Sequence, residues 1–75
     1  MCGIFGIFGD PNASFAAYHG IWSMQHRGQE SNGIAVSNDN KITVVTSLGE
    51  VADSFDERTL SELKGNIACS HVRYG

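Results

Sequence analysis

Cys2 directly follows the initiator methionine, and that placement gives it a chemistry an internal cysteine lacks. Removal of Met1, which a small second residue permits, would leave one residue carrying both a thiol and a free α-amine. Reference pKa values of ~8.5 for a cysteine thiol and ~7.7 to 8.0 for an α-amine leave the amine partly neutral near pH 7. It can then take the thiol's proton with no separate histidine base. A plainer use is also open to Cys2, as a small hydrophobe near the start of a strand, because free cysteine is among the most buried residue types.

Two other groups of residues could serve such a nucleophile. His26-Arg27-Gly28-Gln29 falls where a helix is expected to end, and Gly28 can adopt positive φ and let backbone approach a ligand closely. The same four residues fit an ordinary helix terminus, with His26 and Arg27 complementing the dipole. His71-Val72-Arg73-Tyr74 places a guanidinium on an otherwise apolar strand, where an unpaired charge is costly. Arg73 therefore calls for a carboxylate, either that of an amino-acid ligand held in a bidentate pair or that of an acidic residue in a structural salt bridge. Zinc is disfavoured, since Cys2, Cys69, His71, His19 and His26 include no pair at Cys-x-x-Cys or His-x-x-x-His spacing.

The elements that must position these residues follow from periodicity. Cys2 to Phe8 alternates with apolar residues on both faces, which predicts a central strand covered on both sides. Asp10-Pro11-Asn12 is turn chemistry, and Ser14 can cap a helix whose Phe15, Tyr18, Ile21, Trp22 and Met24 recur at intervals of three and four, with Trp22 and Met24 as core. The helix should end near His26, with Gly28 as its stop. Gly33 to Ser37 and Ile42 to Ser47 flank Asn38-Asp39-Asn40-Lys41, a hairpin signal. Beyond Gly49 a helical region in two pieces is expected, the second capped by Asp56, burying Leu60 and Leu63, and closed by Lys64 and Gly65. Asn66 to Tyr74 alternates again, with Ile67, Cys69, His71 and Arg73 on one side and Ala68, Ser70, Val72 and Tyr74 on the other. Cys69 is expected in the core. The order β, α, β, β, α, β makes the chain α+β.

Bulk properties exclude several functions. The 75 residues make at most one small domain, and the formal charge of −3 comes with no Lys/Arg cluster to neutralise phosphates. No apolar stretch approaches the ~18 to 20 residues that cross a bilayer. Two cysteines are too few for a disulfide framework. The chain stops directly after a strand, and is expected to be a piece of something larger.

Met1-Cys2-Gly3-Ile4-Phe5-Gly6-Ile7, then Gln25-His26-Arg27-Gly28-Gln29-Glu30-Ser31-Asn32-Gly33-Ile34, then His71-Val72-Arg73-Tyr74 resemble the class II, or N-terminal-nucleophile, glutamine amidotransferases. Gln-Glu after His-Arg-Gly is most similar to the glutamine phosphoribosylpyrophosphate amidotransferase branch. The resemblance covers essentially the whole chain and implies the opening part, residues 1–75, of a glutaminase domain with a four-layer α-β-β-α sandwich. Residue by residue, it implies Cys2 as the nucleophile, Arg73 as the group holding the glutamine carboxylate, and Arg27 and Gly28 as shaping the pocket.

It further implies a γ-glutamyl thioester and released ammonia, used for phosphoribosylamine synthesis in purine biosynthesis by a cytoplasmic homo-oligomer. Glutamine and phosphoribosylpyrophosphate are the implied substrates, with no nucleic acid or membrane partner. No cofactor is implied within this segment; Mg and, for some members, an iron–sulfur cluster would belong to the rest of the enzyme. The family's Asn-Gly oxyanion hole, its aspartate and its acceptor domain lie past Gly75, so residues 1–75 alone are expected to be inactive. Asn32 stands where the family usually has alanine, a change expected to alter mainly local packing. The alternatives are the glutaminase domain of another class II amidotransferase, such as glucosamine-6-phosphate synthase, and a non-catalytic homologue that kept the fold.

Overall fold

In the computed structural model, which describes residues 2–24, 29–49 and 51–74, side chains at 29, 30, 52, 53 and 74 excepted, alternation and turn chemistry give the expected α+β order. The elements are β1 (Cys2–Phe8), α1 (Ala13–Met24), β2 (Gln29–Asn38), β3 (Lys41–Leu48), α2 (Val51–Ser54), α3 (Glu57–Glu62) and β4 (Ile67–Tyr74). The strands form one antiparallel sheet in the order β1-β4-β2-β3. β2 and β3 join through Asp39 and Asn40, with φ of 51° and 64°. That is the geometry in which a two-residue turn matches strand twist, and Asp and Asn tolerate it better than most residues.

β1 is an edge strand here, not the central covered strand its composition suggests. Among the described residues it pairs in the sheet with β4 alone. Phe5 and Ile7 pack against the core, while Ile4 and Phe8 on the other face are 78% and 81% exposed. Apolar residues on both faces report a demand for cover on both, and among the described residues the helices meet only one of them.

The core lies between that face and the helices: Ala13, Ala17 and Ile21 of α1 meet Ile34 and Val36 of β2 and Ala68 and Val72 of β4, with Val51, Phe55, Leu60 and Leu63 closing one end. Small residues on α1 set the spacing. A Cβ at Gly20 would overlap the Phe5 ring, so glycine is what lets α1 lie directly on β1.

Three expected positions for side chains change. Ser14 is not the helix cap: it sits inside α1, buried, and its hydroxyl donates to the Leu60 carbonyl at 2.7 Å, tying α1 to α3. The first turn is instead closed by the Asn12 carbonyl, which accepts from the Phe15 and Ala16 N–H groups. Trp22 is 49% exposed, because its neighbour Ile21 takes the core direction and one residue is a rotation of ~100° around a helix. Cys69 is exposed: its parity places it on the open face of β4, opposite the buried Ala68 and Ser70. Met24, by contrast, packs on the core as expected.

Asn32 does more than fill space. It is fully buried, and its Nδ2 donates to the Gly49 carbonyl at 3.1 Å and to Ser54 Oγ at 2.8 Å. β2 is thereby fastened to the turn after β3 and to α2. Its Oδ1 is buried with no hydrogen-bond partner, so the latch forms at the expense of an unsatisfied acceptor.

The expected cap of α3 is present, Asp56 Oδ1 accepting from the Thr59 N–H at 2.7 Å. That backbone bond, helped by the Thr59 side chain, holds the Asp56 carboxyl below its ordinary value of 3.8. A folded-state value below the unfolded one contributes stability above the unfolded value that is lost as pH falls through the folded one. Asp56→Ala should therefore lower the melting temperature at neutral pH and shrink the fall in stability below about pH 4. Asp56→Asn, an equally good cap, should keep the stability and lose that pH dependence, measured by thermal unfolding between pH 2 and 7.

Asn32→Asp should be the more damaging change. It would set a buried carboxylate where two hydrogen bonds are now donated, against the Gly49 carbonyl. A cost of ~3 kcal/mol or more is expected, whereas Asn32→Ala, which also removes the orphaned oxygen, should cost ~1 to 2 kcal/mol, both read from denaturant unfolding.

Candidate active site

The open face of the sheet carries the residues with chemistry. Parity brings them there: in β4 the core takes Ala68, Ser70 and Val72, which leaves Cys69, His71 and Arg73 exposed on the other side. In β1 the same alternation leaves Cys2 exposed on that face. The antiparallel register then pairs Cys2 with Arg73. Directly opposed residues on neighbouring strands have Cβ atoms ~4.5 to 5.5 Å apart, so the two side chains start from adjacent points. Residues far apart in sequence thus become immediate neighbours.

Arg73 is exposed on this face, so its surroundings differ from the apolar burial that its strand suggests. On its other side it pairs with Ser31 of β2, beside a register shift between Gln29 and Ser31. Such irregularities bend a strand and redirect side chains, and they collect near functional sites.

The next row runs Ile4, His71, Gly33, Thr46 by register. The His71 ring leans over Gly33: a Cβ there would stand 2.8 Å from His71 Nε2 and 3.1 Å from Thr46 Cγ2. His71 thus tilts toward β2 and away from β1, and borders a cleft of about 390 Å³ with Ser31, Thr46, Ser47 and Leu48.

Beneath Cys2, on the core face, Gly3 pairs with Val72. A Cβ at Gly3 would stand 3.0 Å from the Met24 sulfur and 3.2 Å from a Val72 methyl. The end of α1 is therefore in contact with the strand at the residue next to the thiol.

Arg27 and Gly28, with His26, lie outside the described residues, as does the side chain of Tyr74. Of the site residues read from the sequence, the structure brings together Cys2 and Arg73. Sequence reasoning missed the supporting pair Gly3 and Met24, and the seat of His71 on Gly33. The signal available for both was a glycine inside a strand pattern, which marks close approach by another group. Among the described residues no group of three His, Cys, Asp or Glu side chains converges to hold a metal. No helix among them is long and apolar enough to cross a membrane.

No family model matches the chain. Over 73 residues it is 48% identical to amidophosphoribosyltransferase 3, chloroplastic, of Arabidopsis thaliana, an alignment covering 97% of this chain and 14% of that protein. Over 75 residues it is 43% identical to an amidophosphoribosyltransferase of Mycobacterium tuberculosis, again covering 97% and 14%. The fold superposes at a TM-score of 0.87 and 39% identity on the glutamine phosphoribosylpyrophosphate amidotransferase of B. subtilis complexed with ADP and GMP, covering 100% of this chain and 16% of that one. A structure described as the allosteric regulatory enzyme of purine biosynthesis superposes at 0.89 with the same identity and coverage. The chain thus spans about 14% of the length of the curated relatives it matches.

Proposed function

We propose, for a chain whose homologues along 97% of its length are amidophosphoribosyltransferases and which matches their N-terminal part, that Cys2 is the nucleophile of a glutaminase site and Arg73 its carboxylate anchor. The observation that carries this reading is the Cys2–Arg73 register on one open face. A glutamine whose α-carboxylate is paired with Arg73 in a bidentate fork can lay its side-chain amide back toward Cys2 on the neighbouring strand. Fixing both ends makes the attack effectively unimolecular.

With Met1 removed, the α-amine of Cys2 takes the thiol proton, and the sulfur attacks the amide carbon. The C–N bond breaks, the nitrogen leaves with the proton as ammonia, and a γ-glutamyl thioester remains. Water attacks the thioester carbon, returning the thiol and releasing glutamate. Donors to the developing oxyanion would come from other parts of the enzyme.

Ile4, Phe8, Leu48, Ile42 and Val44, all more than half exposed on the open face or at its rim, form an apolar surface that a second sheet would cover, completing the α-β-β-α sandwich. The ammonia would be used on phosphoribosylpyrophosphate to make phosphoribosylamine for purine synthesis, in a cytoplasmic homo-oligomer. Mg or an iron–sulfur cluster would be held by the rest of the enzyme, and no step here is routed through either.

In the complete enzyme, Arg73→Ala should raise the KM for glutamine by ~30- to 1000-fold, the equivalent of ~2 to 4 kcal/mol for a lost charge-assisted pair. Ammonia-dependent synthesis should stay near the wild-type rate. Equal loss of both activities would assign Arg73 a folding role instead. Intact mass of the active enzyme should show Cys2 as the first residue; full glutaminase activity with Met1 retained would remove the α-amine from the mechanism.

A further inference from the structure

We infer that Met24 is a positioning residue for Cys2, acting through Gly3. The inference rests on the reading of Cys2 as the nucleophile and concerns what holds it still.

Cys2 is the first described residue of β1, which among the described residues pairs with β4. Chain termini and strand ends are where order is weakest unless something ties them down, yet a nucleophile must be placed to within a fraction of an ångström. The ladder to β4 fixes Cys2 laterally, opposite Arg73. It does not fix the strand against movement toward or away from the helices.

Phe5 against Gly20 restrains the middle of β1, and Met24 supplies the restraint at its Cys2 end. It is the last residue of α1, it is half-buried against the core, and its sulfur and methyl stand 3.0 Å and 3.5 Å from the point a Gly3 Cβ would occupy. The fully buried Val72, register partner of Gly3, stands 3.2 Å from the same point. Glycine thus leaves a notch in the underside of β1, and a thioether and a methyl fill it. An unbranched, polarizable side chain suits so irregular a gap. The residue on the far side of this contact from the core is the thiol's own neighbour, so a shift of Met24 is delivered to Cys2. Arg73 stands on the adjacent strand, which among the described residues has ladder partners on both sides, so the ladder to β2 holds it as well.

The consequence is a split between turnover and binding. In the complete enzyme, Met24→Ala should lower kcat for glutamine hydrolysis by ~10- to 100-fold, since a misplacement near 1 Å costs about that much. The KM for glutamine should stay within about threefold and ammonia-dependent synthesis should be unchanged, because the Arg73 anchor is untouched. Met24→Leu should restore kcat.

Gly3→Ala, which pushes a methyl into the sulfur from the other side, should give the same kcat loss. The double variant Gly3→Ala/Met24→Ala should recover part of it, the new methyl occupying the void, a non-additivity that neither single change predicts. If Met24→Ala does not fold, the comparison of Gly3→Ala with the double variant decides alone.

A kcat unchanged in both single variants, additive losses in the double, or a parallel loss of ammonia-dependent synthesis would overturn the inference. Cys2→Ala run beside them separates the two levels: retained glutamine hydrolysis in that variant would sink the nucleophile itself, whereas an inactive Cys2→Ala with a fully active Met24→Ala would sink only the positioning role.

Discussion

The antiparallel pairing of β1 with β4 is the constraint on which the site depends. Its register places Cys2 against Arg73, and strand alternation then decides which face both occupy. A slip of one residue in either strand would send one partner into the helix layer and leave the other outside. The register is pinned from the covered side. Val72 and Ala68 are packed into the core and Ser70 donates its hydroxyl to the Ala17 carbonyl at 2.9 Å. The chemistry on the open face is thus specified by what the opposite face buries.

Close approach of α1 to the sheet follows from residues that are small or absent as side chains. Ala13 and Ala17 are fully buried on the helix, Gly20 admits the Phe5 ring and Gly3 admits Met24. β1 and α1 therefore behave as one packed unit. Asn32 performs a related service at the other end of the layer, joining β2 to Gly49 and Ser54, but by hydrogen bonds in place of contact. Its own Oδ1 is left unsatisfied, an acceptor that an alanine does not carry. Nothing else described in the structure explains why this chain carries the amide.

Local signals carried much of the fold in the sequence. The Asp39-Asn40 turn, the Asp56 cap and the two-sided split of Ile67 to Arg73 depend on neighbouring residues, and each is where periodicity and turn chemistry place it. Strand order was not legible, because apolar residues on both faces of β1 report burial without saying what supplies it. The same limit misassigned Cys69 and Trp22, whose types favour burial but whose parity and helical angle point outward. At the site, Cys2 and Arg73 could be named from residue chemistry, whereas their being neighbours is a property of the register. Ser14 failed in another way: a serine at a helix start caps it in most settings, and here a carbonyl of α3 lies closer to hand.

The pairing of β1 with β4, far apart along the chain, also sets an order of events during synthesis. Cys2 has its partner at Arg73, so at ~5 to 20 residues per second some seconds pass before that partner exists. The β2–β3 hairpin can close within microseconds of being made. β1 therefore cannot be locked into the sheet before β4 has been made. Throughout that interval β1 is without the ladder that holds it in the folded sheet.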